Sequence, residues 1–168
     1  MCELTSGYTK PACASTGGTK SVDVYNLENR DTYTEASGAI SAITMKAGKT
    51  GFRITPDMAS IEFTETPTRS RENNSLFYAQ SCSIILKSDS AETRALVDLI
   101  AKGFLGVIQE KENGNNFHYG MNNGMTLETG EITTGKNFED LNGVTINLVG
   151  KEKSIAPSIT DTLIASIL

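Results

Sequence analysis

The sequence predicts a mainly β fold, a β-sandwich or barrel of about eight strands with a single flanking α-helix. Short segments that alternate apolar and polar residues recur along the chain, separated by turn-forming Gly, Asn, Asp and Pro. Only residues 89–102 instead repeat apolar side chains at a convincing helical spacing. The length of 168 residues, 38% of them hydrophobic, suits one compact domain.

The chain divides into three parts. Residues 1–20 are rich in Thr, Ser, Gly and Ala, which predicts a flexible N-terminal arm. Residues 21–153 carry the β pattern and form the predicted domain. Residues 154–168 end in apolar side chains with no charge after Asp161, so we expect a C-terminal arm that docks on another surface.

The first half of the domain should be a β-meander. Four segments are predicted as strands: SVDVYNL (21–27), GAISAITM (38–45), FRIT (52–55) and SIEFTET (60–66). The first places Val22 and Val24 on one face and Asp23 and Tyr25 on the other. NRD and AGKTG are expected to be turns, and the polar segment TPTRSRENN (66–74) a solvated loop.

A central strand leading directly into a helix is predicted next. SLFYAQSCSIILK (75–87) has β-forming residues at nearly every other position and apolar residues on both faces. Asp89, or alternatively Ser90, is placed to cap the helix, and Gly103 to end it in a left-handed conformation. The apolar stripe of this helix comprises Leu96, Leu99 and Ile100, and Ala95 and Val97 broaden it.

Further strands are expected after the helix. They are FLGVIQEK (104–111), FHYGMN (117–122), GMTLETGEI (124–132) and GVTINLVGKE (143–152). ENGNN between the first two contains Asn113-Gly114, a hairpin-turn signal.

The sequence carries no recognisable catalytic chemistry. GxSxG, GxxxxGK[ST], GxGxxG and HExxH are all absent. The one histidine, His118, is interpreted as a surface or interface residue rather than a general base. The carboxylate pairs Glu62 with Glu65 and Glu110 with Glu112 are interpreted as solvated edge charges rather than a glycosidase pair. We expect neither enzymatic activity nor a cofactor.

Cysteine content and charge exclude further classes. Three cysteines without a CxxC pair, beside one histidine, do not predict a zinc site. Cys2 and Cys13 could join under oxidising conditions, although reduced thiols are the favoured state, and Cys82 should pack as a small hydrophobe. A formal net charge of -5 does not favour a grip on nucleic acid or anionic lipid.

No targeting or membrane signal is recognisable. The first residues lack a basic and then apolar signal-peptide pattern, and no apolar run approaches the roughly 18 to 20 residues of a membrane span. We therefore expect no membrane-spanning segment, and synthesis and retention in the cytoplasm unless another machine releases the chain.

Three segments resemble small virion proteins of phages that infect gut Bacteroidetes, the crAss-like group among them. They are MCELTSGYTKPACASTGG at the start, ENNSLFYAQSCSIIL in the middle and NGVTINLVGKEKSIAPSI near the end. The order of elements is similar to the tail-tube fold of tailed bacteriophages. The resemblance implies a tail tube protein, or a neck or connector ring protein, with that fold.

The resemblance also implies a structural role in the virion tail, after assembly in the host bacterial cytoplasm. Copies would form a homo-oligomeric ring of six subunits, and rings would stack around a channel that double-stranded DNA passes without specific contacts. Other tail or neck proteins would be partners. The inter-subunit loop would comprise Thr66, Arg69, Arg71, Glu72, Asn73 and Asn74. The assembly arms would include Cys2, Tyr8, Cys13, Ile155, Ile159, Leu163 and Leu168.

The residues support assembly independently, since open strand edges suit pairing between copies. Three other classes remain open. A head-to-tail connector could share the fold with another copy number. A β-sandwich binding module would use the loops at 66–74 and 112–116 to contact a ligand, and an enzyme is the last alternative.

Overall fold

The computed structural model of the chain describes residues 7–10, 16–57, 59–137 and 139–168. This part is mainly β and contains two α-helices. The strands are β1 (Thr19–Asn26), β2 (Arg30–Ala36), β3 (Ala39–Met45), β4 (Phe52–Ile54), β5 (Ile61–Ser70), β6 (Ser75–Leu86), β7 (Leu105–Lys111), β8 (Asn116–Tyr119), β9 (Thr126–Thr133), β10 (Gly143–Glu152) and β11 (Ser158–Ile159). The helices are α1 (Ala91–Lys102) and α2 (Asp161–Ile167).

The strands form two sheets. One has seven strands in the order β2-β3-β11-β8-β7-β1-β4, and the other has four in the order β5-β6-β10-β9. Neither sheet closes into a barrel within the part of the chain that the structure describes. The prediction of a mainly β fold is confirmed, whereas the barrel alternative and the single helix are wrong.

One apolar core joins the two sheets. Val22, Val24 and Val107 of the seven-stranded sheet belong to the same buried cluster as residues of β6 and β10. Those residues are Cys82, Ile84, Val144, Ile146 and Leu148. Helix α1 adds Ile100, with Leu96 and Val97 packed against the cluster. Burying each such aliphatic side chain contributes about 1.5–3 kcal/mol, so this layer holds the domain together.

A second core covers the other face of the seven-stranded sheet. Tyr25 of β1 and Ile108 of β7 pack there with Ile164 and Ile167 of α2. The alternation predicted for β1 is therefore confirmed, with both of its faces buried. The apolar side chains of α2 are three residues apart, which places them on one helical face.

The C-terminal segment packs against its own chain. Ile159 lies in the buried second core and Leu163 packs against it, so for these two residues the expected docking takes place on their own chain. The physical reason is that the seven-stranded sheet offers them an apolar face within the same molecule. Ile155 and Leu168 remain exposed.

The N-terminal segment is described only in part. Tyr8 is exposed and lies in a stretch without regular structure, and residues 16–18 also lack it before β1 begins at Thr19. Cys2 and Cys13 lie outside the described residues.

Helix α1 lies where the sequence predicts it, and the structure decides between its two candidate N-caps. Ser90, not Asp89, is the N-cap: its hydroxyl accepts a hydrogen bond from the Thr93 N–H at 3.2 Å. Leu99 is 67% exposed, so its predicted place in the buried stripe is wrong, whereas Val97 packs against the core as predicted. The described helix follows the predicted one closely, spanning 91–102.

Gly103 ends the helix in an extended conformation, with φ -113°, so the predicted left-handed cap is wrong. The chain runs almost directly into β7 without the reversal that such a cap makes. A Cβ at this position would lie 2.8 Å from the Asn26 side-chain oxygen, so a larger residue would displace the Asn26 side chain.

Strand β2 was not predicted. Residues 29–31 were expected to turn, but a 3₁₀ turn at Leu27–Asn29 leads into β2, which pairs with β3. Strand β2 is a sheet edge and most of its side chains are exposed. A strand with so few buried positions lacks the alternation on which sequence reasoning depends.

The close contact between Gly106 and Tyr25 supplies a test of the second core. The two residues are partners in β7 and β1, and a Cβ on Gly106 would lie 2.6 Å from Cε1 of the tyrosine ring. We expect Gly106→Ala to lower the free energy of unfolding by about 1–3 kcal/mol because the ring must move. Urea denaturation measures this, with Gly17→Ala as the control, since its Cβ meets no atom within 4 Å. Equal stability of both variants would contradict the packing.

Candidate functional site

Strands β5 and β6 form a hairpin that is longer than predicted. Their pairing runs without interruption from Ile61 opposite Ile84 to Ser70 opposite Ser75. The prediction of a solvated loop over 66–74 is therefore wrong for 66–70, and only residues 71–74 turn. Strand β5 tolerates these polar residues because it is a sheet edge, where threonines suit the extended backbone and Pro67 is permitted.

The turn is stabilised by its own side chains. The Ser70 hydroxyl accepts a hydrogen bond from the Asn73 N–H at 3.3 Å. Asn74 has φ 47°, in the left-handed region that asparagine tolerates better than most residues. The turn is therefore a property of the local sequence.

The end of this hairpin extends past the rest of its sheet. Strand β10 pairs with β6 only as far as Tyr78, so residues 68–77 form a two-stranded segment, which we call the ribbon. The ribbon has three paired positions at about 3.3 Å each. It therefore extends roughly 10 Å beyond the last pair between β6 and β10, without counting the turn. Isolated two-stranded segments are at best marginally stable in water, so the ribbon is suited to binding another surface.

The two faces of the ribbon differ. Arg69 and Leu76 are direct partners and share the face that continues the core-facing side of β6. Leu76 is 51% exposed there. On the opposite face the Lys151 ammonium lies 5.4 Å from the centre of the Phe77 ring. The ribbon thus presents an exposed leucine beside a guanidinium.

The structure brings the predicted inter-subunit residues together on this hairpin. All six are exposed. Thr66 lies on β5 before the ribbon, Arg69 lies in its first strand, and the turn holds Arg71, Glu72, Asn73 and Asn74. Their exposure agrees with the sequence interpretation, although the conformation differs.

The four-stranded sheet has two different open edges. Strands β5 and β9 lie at its ends, and within the described residues no strand pairs with the outer side of either. Residues 128–132 of β9 are exposed, including Ile132. An unpaired edge presents a row of backbone donors and acceptors to another chain.

A groove of about 590 Å³ lies near the start of β9. Among its lining residues are Gly124, Thr126, Glu128 and Val149. Phe104, which precedes β7 and is 63% exposed, forms part of the same wall. Phe104 also borders a smaller cleft of about 110 Å³, whose other lining residues are Asn26, Glu28, Lys102 and Gly103.

His118 is fully buried within its own chain, so its prediction as a surface or interface residue is wrong. It lies in β8, and its Nε2 is 2.7 Å from the Tyr25 hydroxyl. Burial, together with the positive charge of Arg30, lowers the pKa of His118 to about 3. Burial raises the pKa of Tyr25 to about 12. Both groups are therefore neutral near pH 7 and unsuited to exchanging protons with solvent.

Glu110 is also buried, so its interpretation as a solvated edge charge is wrong. Arg53 of β4 makes two hydrogen bonds to Asp23 of β1, at 2.8 and 3.1 Å, and a further one to Glu110 of β7. The Ser21 hydroxyl donates to Glu110 at 2.6 Å. Burial raises the pKa of Asp23 despite the opposing effect of Arg53. Both carboxylates are thus engaged by one guanidinium that links three strands.

The burial of His118 and that of Glu110 could not be predicted from the sequence, for the same reason. Their partners are 30 to 93 residues apart along the chain, so no local spacing reports them. The available signal was that Tyr25 of β1 and Ile108 of β7 lie on the strand faces opposite to Val24 and Val107. Large side chains on both faces indicate that the sheet is covered on both sides.

Comparisons with known proteins give no assignment. No family model, curated protein or solved structure matches the chain. Within the described ranges, no three His, Cys, Asp or Glu side chains are grouped so that they could hold a metal ion. The same residues include no helix that is long and apolar enough to span a membrane. Cys82 is buried, which raises the pKa of its thiol.

The buried histidine predicts a specific acid sensitivity. Between pH 6.5 and about 3 the unfolded chain binds a proton at His118 that the folded chain does not bind. The free energy of unfolding should therefore decrease as pH falls from 6.5 towards 3, by up to about 4 kcal/mol from this group, and should not depend on it above that window.

Urea unfolding of the unmodified chain and of His118→Gln across pH 4–8 measures this contribution. The glutamine variant should show a flatter dependence between pH 4 and 6.5, whatever its absolute stability. Parallel curves for the two proteins would contradict the assignment.

Proposed function

We propose that this chain is a structural protein whose copies assemble into hexameric rings that stack into a phage tail tube. The observation that carries the proposal is the pair of unlike open edges, β5 and β9, on one four-stranded sheet. When an edge of one copy pairs with a different edge of the next, the contact is heterologous, and a closed set of such contacts is a ring.

The strand directions favour such pairing. Strands β5, β6, β10 and β9 are each antiparallel to the next, so β5 and β9 run in opposite directions. If neighbouring copies are related by a rotation about an axis along the strands, β5 of one copy meets β9 of the next in antiparallel orientation. The sheet could then continue around the ring without a change of pairing type.

The charge distribution suits the passage of DNA without tight binding. The surface of the four-stranded sheet away from the core carries Glu62, Thr64, Ser81, Ser83 and Asn147 around a cleft. Carboxylates and hydroxyls there, with a net charge of -5, do not attract phosphates. In this proposal other tail or neck proteins bind the ends of the tube, and no cofactor takes part.

Negative-stain electron microscopy and light scattering of the purified chain test the proposal. We expect rings with six-fold symmetry or tubes built from them. Twelve-fold rings would instead indicate a head-to-tail connector, which could use the same edges. A strict monomer at high protein concentration would overturn the assembly proposal itself.

The ribbon supplies a variant that separates assembly from folding. We expect Arg69→Glu with Arg71→Glu to leave the monomer folded, since both residues are exposed, and to weaken assembly. The control is Lys46→Glu with Lys49→Glu, exposed residues around the β3–β4 turn that lower the net charge by the same amount. Circular dichroism reports folding and light scattering reports assembly. Equal assembly by both double variants would argue against a role for the ribbon.

A further inference from the structure

The residues of β5 that face the core also direct their backbone groups to the open edge. The Ile85 N–H donates to the Ser60 carbonyl at 2.8 Å, one position before Ile61 pairs with Ile84. Hydrogen-bonded and non-hydrogen-bonded pairs alternate along an antiparallel ladder, so the even-numbered residues of β5 are bonded to β6. The odd-numbered residues, such as Phe63, therefore direct N–H and C=O outwards, and their side chains lie on the core-facing side.

The open edge of β9 has the same arrangement. Met125, directly before β9, exchanges two backbone hydrogen bonds with Leu105, at 2.7 and 2.9 Å, so its backbone groups point away from β10. The next residue is therefore bonded to β10, and bonded positions alternate along β10 past the extra residue of β9 at Glu128. This alternation leaves Gly130 and Ile132 with outward backbone groups. Both are paired with buried, core-facing residues of β10.

The two open edges therefore match each other. In an antiparallel pair of β5 with β9 of another copy, residues with outward backbone groups must lie opposite each other. Because these residues face the core on both edges, the sheet would continue between copies with the same side towards the core. This condition permits the register with Phe63 opposite Ile132, and otherwise only displacements from it in steps of two residues.

Charges distinguish between the permitted registers. A displacement by two residues in one direction would place Glu62 of one copy directly opposite Glu131 of the next, and both are exposed. Like charges directly opposite each other are destabilising. The register that places Phe63 opposite Ile132 avoids this contact. It puts Thr64 opposite Glu131, and it packs an aromatic ring against a β-branched side chain that is 42% exposed in the single chain.

The same register makes full use of the uninterrupted parts of the two edges. Each residue of 62–66 has a partner within 129–133. Beyond these residues Pro67 has no N–H, and β9 is irregular around Glu128. A displacement by two residues in either direction leaves fewer pairs, because one edge then runs past the end of the other.

The stagger between copies in this register suits a closed ring. Within one chain, Ser60 of the β5 side is level with Glu131 of β9 across the four-stranded sheet. Thr64 of the next copy would take that level, a displacement of about 13 Å over a sheet width of about 19 Å. The strands would thus be inclined by about 35° to the ring axis, which is within the range of closed β-barrels. Strands β5 and β9 remain antiparallel at this inclination.

We propose that β5 and β9 of adjacent copies pair in one register, with Phe63 opposite Ile132 and Thr64 opposite Glu131. The partner of each edge is therefore a second copy of this chain. This inference rests on the proposed function, because it uses the β5–β9 contact of the ring. It adds the residues that determine the register, among them Glu62, whose repulsion from Glu131 opposes the displaced pairing.

Cysteine cross-linking reads the register directly. Thr64, Thr66, Thr129 and Glu131 are exposed, and in the proposed register they form non-hydrogen-bonded pairs with Cα atoms about 4.5 Å apart, which a disulfide can span. Thr64→Cys with Glu131→Cys, and Thr66→Cys with Thr129→Cys, should therefore cross-link. Thr64→Cys with Thr129→Cys, and Thr66→Cys with Glu131→Cys, should not, because these positions are diagonal neighbours about 7–8 Å apart.

The four variants control one another, because each cysteine occurs in one pair that should cross-link and in one that should not. All are made in a chain carrying Cys2→Ser and Cys13→Ser, and assembled material is oxidised with copper phenanthroline. Strands β5 and β9 lie at opposite edges of their sheet within one chain, so a disulfide between them joins two copies. Non-reducing electrophoresis should show a ladder from dimer to closed ring for the two expected pairs alone.

Exchange of two opposed residues tests the charge argument. Thr64→Glu should raise the protein concentration needed for assembly by roughly threefold, because it faces Glu131 of the next copy. Thr64→Glu with Glu131→Thr should restore assembly. The control, Thr64→Glu with Glu128→Thr, has the same composition and should not restore it, because Glu128 lies outside the paired part of β9. Light scattering measures assembly, and circular dichroism checks that each variant is folded.

The outcomes separate this register from the ring itself. Rings that cross-link through the diagonal pairs, or through none of the four, would overturn the register while leaving the ring proposal standing. Restoration of assembly by Glu128→Thr as fully as by Glu131→Thr would also overturn it. An unmodified chain that stays monomeric would overturn both proposals.

Discussion

The apolar layer between the two sheets is the constraint on which the rest of the structure depends. Among the described residues, it is formed by one face of the four-stranded sheet and by one of the two apolar faces of the seven-stranded sheet. The second face of the larger sheet is covered by α2. What remains open among the described residues is the outer face, the two edges and the ribbon of the smaller sheet, together with the edges β2 and β4 of the larger one. The surfaces left available to a partner therefore follow from how the core is completed.

Within the larger sheet, one partly buried ion-pair cluster links three strands. Arg53 engages Asp23 and Glu110 at the same time, so β4, β1 and β7 are held in one register. A buried ion pair contributes little net stability over an apolar substitute, but removing one member leaves an uncompensated charge. The requirement that these groups meet excludes shifted pairings of the short strand β4, which has only three residues to specify its place.

Elements that bury a regular set of side chains could be predicted from the sequence, as β1, β6 and α1 illustrate. Strand β2 and residues 66–70 of β5 could not, because edge strands keep most of their side chains in water and show no burial pattern. The exposure of Arg69 and Arg71 was predictable from composition. Their position on a projecting ribbon was not predictable, because the ribbon begins where β10 stops pairing with β6. The last pair joins Tyr78 to Glu152, which lies about 70 residues later in the chain.

The two open edges are themselves limited in where they can pair. Pro67 has no N–H to offer near the outer end of β5, and β9 has a register irregularity around Glu128 close to its start. Both interruptions lie towards the end of the sheet from which the ribbon extends. In the proposed ring, backbone pairing between copies would be confined to the remaining parts of the edges, which lie within residues 61–66 of β5 and 129–133 of β9. An edge limited in this way resists indiscriminate pairing with other strands.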